Sequence, residues 1–255
     1  MPEQFIMERL AENLTRLKLP WIRQILPDTI KHAETESWSY LTLLDRLLEE
    51  EVARKEQRRI ESVLKLSGLP WVKTLDEFDF AFQPGINRQQ IAGLFDLSFL
   101  ERKENILFLG PPGVGKTHLS AALAVKACHA GSTIHFTTMA DLIHKLRVDR
   151  ETGRIGKTKR PYQWSNLVVV DEVGYTPIDR EECNLFYQFV AMRYEKASTI
   201  ITSNKAFDEW SELFHDPVIV TAVLDRLLHH SVVVNIKGSS YRLRNKLGSE
   251  GTVSE

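Results

Sequence analysis

The stretch GPPGVGKT, residues 110–117, has residue types and a spacing that suit it to hold phosphate groups. Glycines at 110, 113 and 115 allow backbone N–H groups to converge on phosphate oxygens without clashes from Cβ atoms. The stretch follows a short apolar run and opens a helical pattern, so it would lie at the positively polarised N-terminus of a helix. This context favours a P-loop over a glycine-rich turn that holds a lysine and a threonine by chance.

The P-loop pattern predicts a role for its last two residues. Lys116 is expected to contact the β- and γ-phosphates of ATP, and the Thr117 hydroxyl to coordinate Mg²⁺. ATP and Mg²⁺ are therefore the expected cofactors. The predicted nucleotide-binding residues are Gly110, Pro111, Pro112, Gly113, Val114, Gly115, Lys116, Thr117 and His118.

Two adjacent carboxylates follow the apolar run LVVVDE, residues 167–172. Asp171 would end a buried strand beside the P-loop strand, where it can reach the Mg²⁺ ion. Glu172 can then polarise the attacking water. The pair favours ATP hydrolysis over kinase-type transfer of the phosphoryl group to another substrate. The alternative interpretation is that the two acidic residues cap a helix.

Three further polar residues are candidates for the reaction itself. Asn204 ends STIITSN and would orient the water near the γ-phosphate, or else cap the next helix. Arg226 interrupts the apolar helix VLDRLLHHS and is predicted to act on a neighbouring subunit's nucleotide, with an interface or surface salt bridge as the alternative. Arg242, in GSSYRLR, is expected to reach the γ-phosphate of its own subunit, and Arg244 is the competing assignment.

Alternating strands and helices are predicted to position these residues from residue 105 onward. Short β-branched runs alternate with longer amphipathic ones, which is typical of a parallel sheet covered by helices, an α/β fold. The predicted strands are 105–110, 133–138, 167–172, 198–204 and 231–238, and the predicted helices are 118–131, 139–149, 181–196 and 218–230.

The N-terminal part of the chain contains no catalytic constellation. Residues 1–70 are predicted to form a small helical domain for partner binding or oligomerisation, with one helix that ends near Pro20 and another at 39–66. Acidic residues that precede basic ones by four positions, such as Glu51 and Lys55, favour a solvated helix face.

A connector at 71–104 is predicted to join this domain to an ATPase domain at 105–255. It holds alternating phenylalanines, a Pro-Gly turn and a predicted helix at 87–100. No chemical role follows from its residues.

The composition is that of an ordinary globular protein, with 43% hydrophobic and 26% charged residues among 255. No apolar run approaches the roughly 18 residues that cross a bilayer, so no membrane partner is expected. Cys128 and Cys183 lie in apolar helical contexts, which fits a reducing cytoplasm. His229 and His230 are adjacent rather than spaced for shared ligation, so Mg²⁺ with the nucleotide is the only metal expected.

The run RVDRETGRIGKTKRP, residues 147–161, is basic in a chain whose net charge is −1. It is part of a basic insertion at about 139–161 that is interrupted by glycine and expected to build no core, which predicts a surface feature. Spaced cationic side chains suit the phosphates of duplex DNA, each neutralised phosphate adding about −0.9 to the log–log salt slope. The alternative is a solvated flexible loop. The predicted DNA contacts are Lys145, Arg147, Arg150, Arg154, Lys157, Lys159 and Arg160.

Five stretches together resemble the IstB family, the ATPase helpers of insertion-sequence transposition, which are related to the DnaC-type helicase loaders. They are GPPGVGKTHLSAALA, LVVVDEVGY, TIITSN, DRLLHHS and KGSSYRLRNK. The resemblance covers essentially the whole chain. It implies an AAA+ P-loop fold and a homo-oligomer with nucleotide at its subunit interfaces. It also implies duplex DNA and a transposase as partners, with the basic insertion facing the central channel.

The expected function is therefore that of a DNA-stimulated ATPase that assembles on duplex target DNA, remodels it, and recruits or stimulates a transposase. A replicative helicase loader shares every ATPase motif and is the alternative. An AAA+ protein remodeller is a third class, but the basic run lacks the aromatic–hydrophobic pair that such proteins usually display in their pores.

Overall fold

The structure is a computed structural model that describes residues 3–154, 159–214 and 216–244. Its contacts divide the chain after Ser62 into two compact units. The first unit is helical and contains α1 (Glu3–Arg16), α2 (Pro20–Thr35) and the start of α3 (Tyr40–Leu66). The sequence does not separately predict α2, because Pro20 indicates the end of the preceding helix, whereas the structure places this proline in the first turn of a new helix.

Glu51, on α3, closes the N-terminus of α2. The cap position of α2 is Leu19, whose apolar side chain cannot accept a hydrogen bond. The Glu51 carboxylate instead accepts from the backbone N–H groups of Trp21, at 2.9 Å, and Ile22, at 2.8 Å. Glu51 is only 2% exposed, so the expectation of a solvated charge is wrong here. Its negative charge is favourable at the positive end of a helix dipole.

The second unit is built on a parallel sheet, as predicted. Its five described strands are β1 (Asn105–Leu109), β2 (Ile134–Thr138), β3 (Leu167–Val173), β4 (Ser198–Ser203) and β5 (Ser231–Asn235). They lie in the order β2-β3-β4-β1-β5. The expectation that the strand ending in Asp171 lies beside the P-loop strand is wrong, because β4 lies between β3 and β1.

Helices cover this sheet. Those of the second unit are α4 (Arg88–Leu94), α5 (Ser98–Glu101), α6 (Lys116–His129), α7 (Met139–Glu151), α8 (Pro161–Trp164), α9 (Arg180–Arg193), α10 (Trp210–Phe214) and α11 (Pro217–His229), with 3₁₀ turns at Phe207–Glu209 and Tyr241–Leu243. The single helix predicted at 87–100 is two helices, because Leu97 takes a left-handed conformation with φ 64°. None of the helices described is long and apolar enough to cross a membrane.

The basic insertion contributes to the core, contrary to expectation. Leu142 and Leu146 of α7 are fully buried in the main apolar cluster. Asp149 is 3% exposed and accepts hydrogen bonds from Arg160, at 2.5 Å, and from the Tyr162 hydroxyl, at 2.7 Å. A buried carboxylate therefore joins the last turn of α7 to the start of α8.

Replacing Asp149 with alanine should lower the free energy of unfolding by about 2–3 kcal/mol, because the buried Tyr162 hydroxyl loses its acceptor. Chemical denaturation would measure the change. The exposed Glu151 is a matched acidic residue on α7, and its alanine variant should stay within about 0.5 kcal/mol of the parent. Equal stability of the two variants would contradict a structural role for Asp149.

Candidate nucleotide-binding site

The P-loop joins β1 to α6, as its sequence predicted. Gly115 is the cap residue of α6 and has φ 101°, a conformation that L side chains rarely adopt. Lys116, the first residue of α6, donates hydrogen bonds through Nζ to the carbonyl oxygens of Gly110, at 2.6 Å, and Pro111, at 2.9 Å. Residues 113–118 line a cavity of about 330 Å³, a size that fits a small ligand.

Burial lowers the pKa of Lys116 to about 8; the charge of Asp171 opposes this shift and that of Arg242 adds to it. The side chain is only 5% exposed. Its ammonium donates to two backbone carbonyl oxygens, contacts that a triphosphate can replace with stronger, charge-assisted ones.

Thr117, near the start of α6, and Asp171, on β3, meet although β4 lies between β3 and the strand β1 that precedes the P-loop. The Thr117 hydroxyl lies 3.0 and 3.1 Å from the two carboxylate oxygens of Asp171. Asp171 is 5% exposed and also accepts a hydrogen bond from the hydroxyl of Thr202 on β4. A hydroxyl and a carboxylate at this distance are hard oxygen donors, which suits the coordination shell of Mg²⁺.

Glu172 is exposed to the cavity because the end of β3 is irregular. Consecutive side chains of a regular strand point to opposite faces. The pairing of β3 with β4 shifts register between Val170 and Val173, and Glu172 has φ 62°. Its backbone N–H donates to the Thr202 hydroxyl at 3.0 Å. The bulge therefore places a buried acid and an exposed acid side by side at one site.

Thr202 is a site residue that the sequence analysis missed. It lines the cavity and its hydroxyl contacts both members of the acidic pair. The available signal was a threonine two positions before Asn204, directly after the apolar pair Ile200 and Ile201.

Asn204 follows β4 and does not line the cavity. Its Oδ1 atom is buried and has no hydrogen-bond partner among the described residues. The next helical turn begins with Ala206 as its cap and is closed by Glu209, whose carboxylate accepts from the Ala206 N–H at 2.8 Å. Asn204 therefore does not cap this helical turn, which was the alternative to a role in orienting the attacking water.

The GSSYR segment packs directly on the P-loop. The Tyr241 N–H donates to the Gly113 carbonyl at 2.9 Å. A Cβ atom on Gly113 would lie 2.1 Å from the Ser240 hydroxyl, so only glycine fits. This packing places Arg242 in the cavity wall, close enough to affect the pKa of Lys116.

Arg244, the competing assignment, lies in a different environment. Its guanidinium binds Asp79 at 2.8 Å and lies over the rings of Phe82 and Tyr241, at 5.4 and 5.5 Å. It therefore joins the C-terminal segment to the connector, and Arg242 is the arginine at the site.

The connector forms one wall of the cavity, a role that its sequence did not predict. Phe78 lies 2.5 Å from where a Cβ atom of Gly115 would be, so its ring covers the P-loop. His118 holds the same wall, with Nε2 3.0 Å from the Thr74 carbonyl and its ring edge-to-face with Phe78. Gln83 donates to the Ser239 carbonyl at 2.8 Å.

Arg226 does not belong to the cavity of its own chain. It lies in the last turn of α11, partly buried, and donates to the Ala222 carbonyl at 3.0 Å. Its guanidinium lies 4.8 Å from the centre of the Tyr187 ring. Arg226 makes no ion pair within the described ranges. The alternative of a surface salt bridge within the same chain is therefore not observed.

Acidic neighbours compensate several arginines of the basic insertion. Arg147 binds Glu182 of α9 at 2.6 Å, and Arg150 binds Glu181. Arg160 binds the buried Asp149, as described above. These ion pairs reduce the positive potential that the sequence alone suggested.

The lysines of the insertion are less engaged. Lys145 is exposed, with Nζ 3.4 Å from the Thr137 hydroxyl. Lys159 is exposed and lies 5.5 Å from the ring centre of Trp164. Arg154 is exposed and interacts with the charge of Asp149. Lys157 lies outside the described residues.

Comparison with known proteins agrees with this site. The family model described as "IstB-like ATP binding protein" matches residues 12–249. A Pseudomonas aeruginosa protein named as an ATP-binding protein of insertion sequence IS21 is 45% identical over 94% of this chain and 91% of its own length. A Geobacillus stearothermophilus protein named for insertion sequence IS5376 is also 45% identical, over 94% of this chain and 95% of its own length.

Solved structures with a similar fold include two proteins of DNA replication. The DnaC helicase loader matches with a TM-score of 0.51 and 21% identity, over 66% of this chain and 98% of its own. The initiator DnaA bound to AMPPCP and single-stranded DNA matches with a TM-score of 0.53 and 20% identity, over 74% of this chain and 58% of its own. At this identity the likeness concerns the fold alone. With its parallel sheet, its P-loop and a family match across nearly its whole length, the chain belongs to the IstB-like ATP-binding protein family.

Proposed function

We propose that this protein is an ATPase that assembles on duplex DNA and presents it to a transposase. The proposal rests on the observation that one of the predicted catalytic residues lies outside the cavity that holds the others. The cavity holds Lys116, Thr117, Glu172 and Arg242, whereas Arg226 lies outside it. A site that lacks one catalytic cation is completed when a second subunit supplies it, which makes hydrolysis depend on assembly.

Within one subunit, each residue has a separate task. The P-loop and Lys116 hold the triphosphate, and Thr117 and Asp171 hold Mg²⁺, which when bound neutralises charge on the phosphates. Glu172 polarises the attacking water as general base. Arg242 neutralises charge at the γ-phosphate in cis. Asn204 lies outside the cavity lining in this structure; in this proposal its buried Oδ1 atom, which has no hydrogen-bond partner among the described residues, turns to the attacking water when ATP is bound.

Arg226 acts on the nucleotide of the neighbouring subunit. Its present contacts, a helix carbonyl and an aromatic face, are weak compared with a phosphate pair and can be exchanged for one. DNA stimulates hydrolysis in this proposal by aligning Arg226 with the next active site.

Duplex DNA binds through the basic insertion. Its exposed lysines, Lys145 and Lys159, are the strongest candidates in the structure, because Arg147, Arg150 and Arg160 already pair with acids. Such contacts read phosphates and not bases, and an oligomer multiplies them along one duplex. The names of relatives at 42–45% identity refer to insertion sequences, which favours a transposase partner over a helicase.

ATP affinity should fall as the pH rises above about 8. The pKa of Lys116 is about 8 without ligand, and bound phosphates raise it, so binding above this pH requires proton uptake. The apparent Kd should increase by up to about tenfold per pH unit. Titration with a fluorescent ATP analogue at several pH values would measure this change in the apparent Kd. In Lys116→Arg the cation stays protonated, and the slope should vanish; an unchanged slope would contradict the assignment.

A mixture of two inactive variants should regain ATPase activity. Arg226→Ala keeps its own Glu172, and Glu172→Gln keeps its own Arg226, so each lacks one half of every site. In mixed assemblies on DNA, up to about one quarter of the interfaces contain both intact groups. Steady-state hydrolysis of the mixture should therefore exceed the sum of the separate variants several-fold.

Arg180 provides the control, because it is highly exposed and pairs with the carboxylate of Asp216 at 3.3 Å, away from the cavity lining. Arg180→Ala should hydrolyse ATP normally. If the mixture is no more active than its components, Arg226 does not act in trans and the proposed assembly is wrong.

Duplex DNA binding should weaken in the Lys145→Ala/Lys159→Ala variant, to a similar extent for all sequences. The log–log salt slope should fall by about 0.9 for each lysine that contacts a phosphate. Fluorescence anisotropy at several salt concentrations would measure both effects. Lys126, exposed on α6, is the matched control; an equal loss in Lys126→Ala would exclude the insertion as the DNA-binding surface.

A further inference from the structure

Three potential metal ligands meet where the turn after α9 approaches the end of α11. One ligand atom each from Glu195, His229 and His230 lie within 4.8 Å of one another. The Glu195 Oε1 atom is 3.7 Å from His230 Nε2 and 4.0 Å from His229 Nδ1. This is the one such group of three among the residues that the structure describes.

The two histidines can share a ligand because the helix ends between them. Consecutive side chains within a helix face apart, which is why their adjacency argued against a metal site. His229 is the last residue of α11, whereas His230 has left the helix, with φ −127° and ψ 87°. The ring centres consequently lie only 4.0 Å apart.

The surroundings favour a cation. The site lies at the C-terminus of a 13-residue helix, where the helix dipole is negative. Glu195 adds a carboxylate from a turn in which it takes a left-handed conformation, φ 56°. Arg226 lies one turn before His229 and would repel a metal ion, but its guanidinium is directed to Ala222 and Tyr187.

Tyr194 lies beside the same group of side chains. Its hydroxyl lies 2.6 Å from His229 Nδ1, the nitrogen that is also 4.0 Å from the Glu195 carboxylate. An ion bound to this nitrogen would therefore replace the hydrogen bond to the phenol.

We propose that Glu195, His229 and His230 form a binding site for a divalent transition metal, with Zn²⁺ the best match. Two imidazoles and one carboxylate with a fourth position for water is a known zinc ligand set. Zinc bonds of about 2.0–2.1 Å bring tetrahedral ligands to roughly 3.3 Å of one another. The three side chains are 49–56% exposed, so they can close the remaining distance.

A bound ion would join the turn before β4 to the end of α11. This helix carries Arg226, so the ion would fix the position of that arginine; this consequence, unlike the site itself, rests on the proposed function.

Titration of the untagged, full-length protein with Co²⁺, without nucleotide or DNA, tests the site. One ion per chain should bind, with the visible absorption bands of four-coordinate cobalt, and Zn²⁺ should displace it. Glu195→Gln and His230→Ala should each weaken binding by at least about tenfold, since even outer-shell changes have effects of this size.

The matched control is His32, which lies on α2 with Nε2 3.2 Å from Glu36. This is a histidine–glutamate pair for which the described part of the chain offers no third ligand, and His32→Ala should bind Co²⁺ as the parent does. Absence of binding at micromolar Co²⁺ and Zn²⁺, or equal affinity in Glu195→Gln and His230→Ala, would overturn the proposal. Because neither ATP nor DNA is present, such a failure is independent of the proposed function.

Discussion

The contact between Thr117 and Asp171 is the interaction on which the site depends. It joins the start of α6 to the end of β3 across an intervening strand, and Thr202 on that strand completes it. The contact is formed because parallel strands end at the same edge of the sheet. The sheet order therefore brings the phosphate-binding loop and the acidic pair together.

A second layer of contacts covers the phosphate-binding loop. The GSSYR segment and the connector are about 160 residues apart in sequence, yet they touch each other through Gln83 and Ser239. Both also pack against glycines of the P-loop, where any larger residue would collide with them. The loop is thus held from two sides by backbone and ring contacts, which gives it a fixed shape before any ligand binds.

Local patterns predicted most of the second unit. Hydrophobic periodicity located the strands and the long helices within a few residues, and the P-loop and acidic pair were read from motifs. The strand order, the role of Thr202 and the wall formed by Phe78 depend on contacts between distant residues, which periodicity does not encode. The number of charged residues in the basic insertion did not predict that Asp149 is buried and that Arg147 is paired, because their partners are supplied by tertiary packing. The adjacency of His229 and His230 in sequence did not predict that their rings lie close together, because the helix ends between them, and helix ends are the least certain part of a sequence-based assignment.

The cap that Glu51 provides to α2 has a consequence for how the first unit folds. The start of α2 obtains its acceptor from a residue about thirty positions later. A chain emerging from the ribosome therefore cannot complete α2 until α3 has been synthesised as far as Glu51. The three helices should form together, as one cooperative step, and a fragment that stops short of this glutamate should leave α2 frayed.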